Sequence, residues 1–337
     1  MIASRGYFTH LLVTLPALIL LTAAAAPLQA AQIDWHQRLD DGLRAAERSG
    51  KPLLVFVYIS TEGEGHGGAY VPINVHRPNA PEASERIDLQ RMLQRTLTDP
   101  AVAELAKYWE PVMLDLRLIQ NDDARRRLHV SPGVDTSGGA DGFQSRVAMY
   151  PITLFLEPDG TEIFRRHGYL PPEAYVVQLQ CAIELFEKRN AVREQPQDAV
   201  RRRELGRAYM EMHPALNDEI YRLAVENLEE AIRLDPNNLT GANFDARVDL
   251  AILGLPQDST GAIATLLSLQ SEDRDRHRAL EIEYYIAVAH YVNENLPAAM
   301  ELLAKFETAD DNSPYFDSEW TPQALGLLTY IRQMNDR

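Results

Sequence analysis

Cysteine is almost missing from this chain. Among 337 residues only Cys181 occurs, which excludes an intramolecular disulfide and any dithiol chemistry, because both need two thiols. Positive charge is also short: 33 Lys and Arg stand against 49 Asp and Glu, for a formal net charge of −16. A chain this acidic repels phosphate backbones and anionic lipid, which excludes a nucleic-acid partner. The groups Arg125-Arg126-Arg127, Arg165-Arg166 and Arg201-Arg202-Arg203 therefore read as solvated faces. No Gly-x-Ser-x-Gly, His-Glu-x-x-His, Walker or dinucleotide fingerprint is present, so the sequence points to no catalytic residue, no cofactor and no resident metal.

One nearly uninterrupted apolar run exists, Leu11 to Ala26, at about 16 residues shorter than the roughly 20 of a membrane-spanning helix. It follows Arg5 and leads into Pro27-Leu28-Gln29-Ala30-Ala31. A basic start, an apolar core and a small-residue end make an export signal over residues 1–30 the expectation, with an uncleaved anchor as the alternative. The chain is then exported, to a periplasm, with no integral membrane segment after cleavage. With 45% apolar and 24% charged residues, the remainder has the composition of a folded protein. The composition shifts after Arg189, so the expected division is a domain over 31–189, a polar linker over 190–198 containing Pro196, and a helical domain over 199–337.

In the first domain, Trp35, Leu39, Leu43 and Ala46 recur at helical spacing, which predicts a helix from Ile33 to Arg48 ended by Gly50-Lys51-Pro52. A buried strand, Leu53 to Ile59, follows. After a proline-containing insertion, Asp88–Leu97 and Pro100–Trp109 read as helices, the second capped by Asp99, and Pro111–Leu116 as a strand. Asn121–His129 reads as another helix. The stretch Ile152 to Phe164 reads as a β-hairpin turning at Pro158-Asp159-Gly160. Pro151 opens its first strand, a position where proline removes no ladder bond and where a cis peptide is cheap.

Tyr150-Pro151-Ile152-Thr153-Leu154-Phe155-Leu156, a turn and Gly168-Tyr169 resemble the second half of the thioredoxin fold, and the order Trp35, helix, Gly50-Lys51-Pro52, apolar strand resembles exported members of that group. The resemblance covers Trp35 to Leu185 and implies an α/β thioredoxin-like fold with a cis-proline before its third core strand. It also places the family's two active-site cysteines near Glu62 and Gly65, where carboxylate and glycine can perform no thiol exchange. The family's partner groove would be edged by Met149, Tyr150 and Pro151. The alternative for Tyr150 is simple packing. Cys181, in a predicted helix from Pro171 to Arg189, reads as a small buried side chain.

Beyond residue 198 the pattern is helices in pairs. Leu205, Gly206 and Tyr209, then Ala224, Leu228, Ala231 and Pro236, have the spacing of the two halves of a tetratricopeptide repeat, parted by an insertion near Met212-His213-Pro214. Ile286, Ala287, His290, Ala299, Leu303 and Phe306 make a weaker second match, Asn243–Leu253 and Ser259–Leu269 a degenerate pair, and Thr321–Met334 a capping helix. The expectation is an all-α tetratricopeptide-like domain, and such stacks offer a face for proteins or peptides. The favoured function is a redox-inactive thioredoxin-fold protein of the cell envelope that binds a protein or peptide through the cis-proline groove, the helical repeats or both. Two alternatives stand beside it: an oxidoreductase-related enzyme acting through Cys181 or with a separate cysteine protein, and a metal-binding protein using Glu62, Glu64 and His66, with His76 as a distant fourth ligand.

Overall fold

The structure is a computed structural model that describes residues 33–59, 89–116, 118, 121–130, 150–212, 218–273 and 277–335. The expected export signal, Met149 and the loop holding Glu62, Gly65 and the possible metal ligands lie outside these residues. The chain divides into two compact units, one ending at Glu187 and the other beginning at Lys188. Among the described residues no helix is long and apolar enough to cross a membrane.

The first unit is α/β, built on a four-stranded mixed sheet. Its centre is β1 (Leu53–Tyr58), buried along its whole length as its unbroken apolar sequence requires. On one side β1 pairs in parallel with β2 (Glu110–Asp115), and on the other it pairs antiparallel with β3 (Ile152–Leu156). Beyond β3 lies β4 (Glu162–His167), also antiparallel, giving the order β2-β1-β3-β4. Gly160 holds a φ of 87° in the turn of the β3–β4 hairpin, and the Tyr150–Pro151 bond is cis. The helices are α1 (Leu39–Ser49), α2 (Pro100–Ala106), α3 (Asp122–Arg127) and α4 (Pro172–Glu194). Asp99 caps α2 by accepting from the backbone N–H groups of Ala101 and Val102.

Strand alternation sends Leu53, Val55, Val57, Ile152, Leu154 and Leu156 to one sheet face, where they close a core with Leu39 and Ala46 of α1 and Ala124 of α3. Phe56, Thr153, Phe155 and Phe164 go to the other. There Phe155 stacks on Phe164 at 4.3 Å and meets Trp109 edge-on at 5.2 Å, while the Thr153 hydroxyl lies 3.4 Å from that of Tyr175 on α4.

Two local expectations need correction. The first helix begins at Leu39 rather than Ile33, because His36 is taken by β2: its N–H donates to the Pro111 carbonyl at 2.9 Å and its carbonyl accepts from Met113 N–H at 2.8 Å. The helix expected over 88–97 is present from 89 to 96, but only 89–91 are α-helical and the rest is a π-helical turn, Met92–Thr96.

The second unit is helical: α5 (Ala199–Glu211), α6 (Asp218–Leu234), α7 (Ala242–Gly254), α8 (Ser259–Glu272), α9 (Ala279–Val292), α10 (Leu296–Glu307) and α11 (Thr321–Asn335). Asp198, Asp258 and Asn295 cap α5, α8 and α10. Its main core joins Val248 and Ile252 of α7, Leu266 and Leu269 of α8, Ile282 and Ile286 of α9, Leu303 of α10 and Leu327 and Ile331 of α11. The polar stretch 190–198, expected as a linker, starts inside a helix, since α4 runs on to Glu194.

Candidate functional site

The two sequence-derived sites fare differently. Tyr150 is 6% exposed and belongs to the core cluster of the first unit, and Pro151 beside it is buried as well. A ring packed in this way leaves little surface for a partner. Cys181 is half-buried on α4 rather than fully enclosed. Leu205, Tyr209, Ala224, Leu228 and Ala231 are all buried where α5 meets α6. At Gly206 an added Cβ would come within 2.6 Å of the Leu228 side chain and 3.2 Å of the Ala224 carbonyl, so glycine is what lets these helices approach. Pro236 is exposed, just past the end of α6. The Tyr209 hydroxyl accepts from Arg189 Nη1 at 2.6 Å. These residues are packing residues, and they position something the sequence reading passed over.

That feature is a cluster of charges inside the helical unit, drawn from α5, α7 and the start of α9. Asp249 of α7 is wholly buried, and its carboxylate accepts from three arginines: Arg203 Nε at 2.8 Å, Arg207 Nη1 at 2.9 Å and Arg278 Nη2 at 2.7 Å. Glu281 of α9, 7% exposed, accepts from Arg207 Nη1 at 2.8 Å and Arg278 Nε at 2.7 Å. Arg278 also donates Nη1 to the Asp245 carbonyl at 2.8 Å, and Arg207 donates Nε to Glu211 at 2.8 Å. At the edge His277 meets Asp245 at 3.0 Å and Asp273 at 3.2 Å.

Burying a carboxylate opposes its charge, yet Arg278, Arg203 and Arg207 together hold Asp249 below the usual carboxylate range. Burial likewise works against Glu281, and Arg278 and Arg207 overcome it to hold that group low. Asp249 and Glu281 thus keep their charges through the neutral range. Such a site can hold a charged group of complementary sign. Three guanidiniums also repel a cation, and among the described residues no set of three or more His, Cys, Asp or Glu is placed to hold a metal.

Sequence reasoning missed this cluster, taking Arg203 as part of a solvated run. The signal available was Asp249 itself, an acid between Val248 and Leu250 in a mostly apolar helix. A buried acid at such a position demands partners. No family model, curated protein or solved structure matches the chain.

Proposed function

We propose that this is an exported, redox-inactive thioredoxin-fold protein joined to tetratricopeptide-like hairpins, and that it acts by binding an extended segment of a protein or peptide through its helical unit. Support for the thioredoxin-like reading comes from the β2-β1-β3-β4 order with one parallel and two antiparallel pairings, and from the place of Pro151 ahead of β3. The single cysteine argues against dithiol exchange. The tetratricopeptide-like reading is supported by the close approach at Gly206 and by three successive helix pairs followed by α11.

The observation that carries the functional reading is the charge cluster shared by α5, α7 and α9, the helices that open the three hairpins. A buried ion cluster is costly to build and adds little stability over an apolar core. Its presence where three opening helices meet fits a recognition surface, whereas the buried Tyr150 takes weight away from the cis-proline groove.

The test is site-specific photo-crosslinking in the native envelope. A photoreactive residue at Glu211, on the rim of the cluster, should give discrete protein adducts, while the same residue at the exposed Leu267 or Tyr108 should not. Adducts from Tyr108 alone would move the binding surface to the α/β unit and overturn the proposal.

A further inference from the structure

The three arginines of the cluster are used unequally. Arg278 is 6% exposed and commits all three guanidinium nitrogens to Glu281, the Asp245 carbonyl and Asp249. Arg207, with 21% of its side chain exposed, commits Nε to Glu211 and Nη1 to Asp249 and Glu281. Arg203, 22% exposed, commits only Nε, to Asp249. Among the described residues no acceptor meets either Nη of Arg203 or Nη2 of Arg207. Both guanidiniums are part-exposed and already fixed, since Arg203 and Arg207 grip opposite oxygens of one buried carboxylate, Oδ2 and Oδ1 of Asp249.

We infer that Arg203 and Arg207 form a seat for a carboxylate carried by the bound segment, one helical turn apart on α5 and held side by side by Asp249. This rests on the proposed binding function and names the chemistry that the surface reads. The planar guanidinium fork matches a planar carboxylate, and the ordering that a free arginine would lose on binding is already complete here. The inner group of Arg203, Arg207 and Arg278 against Asp249 and Glu281 carries one positive charge in excess. Glu211 offsets it at the rim, but that side chain is 42% exposed and screened by water. Asp245 is farther off, with its carboxylate 3.7 Å from Arg278 Nη1 and shared with His277. A single carboxylate suits this small excess better than a phosphate group, which the net charge of −16 would repel more strongly. Nor is Arg203 needed to neutralise Asp249, which Arg207 and Arg278 already meet, so its outward donors are in surplus of a structural role.

The experiment uses the full chain with 15N-labelled arginine and follows the side-chain Nε–Hε signals at constant ionic strength. Succinate should shift the Arg203 and Arg207 signals saturably, and succinamide should leave them in place. Arg203→Gln should weaken succinate binding about tenfold or more, the scale of a lost charge-assisted hydrogen bond, with the melting temperature little changed. Arg203→Lys keeps the charge but not the fork, and should fold as the parent while also losing affinity. Equal shifts with succinamide, tighter binding of inorganic phosphate than of succinate, or undiminished binding in Arg203→Lys would each overturn the inference. Failure here is separable from failure of the proposed function: adducts at Glu211 that persist in Arg203→Lys, with no succinate response in the parent, would leave the binding surface standing and remove only the carboxylate seat.

Discussion

At the scale of single residues, the cluster around Asp249 predicts its own failure. Asp249→Asn removes the charge that three arginines share, and breaking a buried ion group from one side costs about 3 to 5 kcal/mol, readable as a fall in the urea midpoint. The pH dependence follows from direction alone. Asp249 and Glu281 are both depressed in the folded state, so their contribution is fully present above the unfolded carboxylate values near about pH 4 and is lost as pH falls through the lower folded values. Melting temperature measured from pH 7 down to pH 3 should therefore drop at the acid end, and Asp249→Asn should flatten that drop. Parallel curves for the two proteins would show that the acid limb arises elsewhere. Tyr150→Ala should cost about 3 to 5 kcal/mol as a core aromatic without altering crosslinks from Glu211. A loss of crosslinks with unchanged stability would restore the groove reading. None of the cluster's pairings was legible beforehand, because periodicity reports which side of a helix is apolar and says nothing about which charge meets which. Arg207 finds Glu281 across 74 residues of sequence.

Whole elements were far more legible, for a physical reason. The β3–β4 hairpin follows from β-branched and aromatic residues on both sides of Pro158-Asp159-Gly160, all local information, and so does the Asp99-Pro100 start of α2. The start of α1 was not legible, since His36 is claimed by a strand that arrives more than seventy residues later. The α5–α6 pairing lies between these cases: the spacing of Gly206, Ala224 and Leu228 suggested it, and the predicted Cβ clash at Gly206 gives it a test. Gly206→Ala gains up to about 1 kcal/mol of helix propensity but overpacks the interface at a cost of about 1 to 3 kcal/mol, so it should destabilise. Combined with Leu228→Ala, which vacates the contact, it should cost less than the two changes summed. Gly326→Ala on α11 is the control. Nothing lies within 4 Å of its added Cβ, so the propensity gain stands alone and the urea midpoint should rise. A fall at Gly326 with no change at Gly206 would contradict the packing drawn here.

At the scale of the molecule, the open matter is where one unit gives way to the next, because polarity in the sequence is not the same as looseness in the chain. Residues 190–194 are polar yet helical, and the last turns of α4 are fastened to α5. Lys188 Nζ donates to Glu204 at 2.8 Å, Arg189 Nη1 to the Tyr209 hydroxyl at 2.6 Å, and Arg201 Nη1 returns to the Ala191 carbonyl at 2.9 Å. Val192 is buried among them at 6% exposure. A fragment of residues 188–337 keeps all of these contacts, whereas one of residues 199–337, cut where the polar stretch ends, keeps α5 but strips its cover. The longer fragment should unfold cooperatively in urea, with a helical circular-dichroism signal. The shorter one should be weaker by at least about 2 kcal/mol, given one buried valine and hydrogen bonds from charged donors. Tyr209→Phe separates the causes, since it removes the hydroxyl that Arg189 holds and should narrow the gap between the fragments only by that bond's share. Equal midpoints for the two fragments would mean that the end of α4 is indeed a linker, and the boundary would return to the polar stretch.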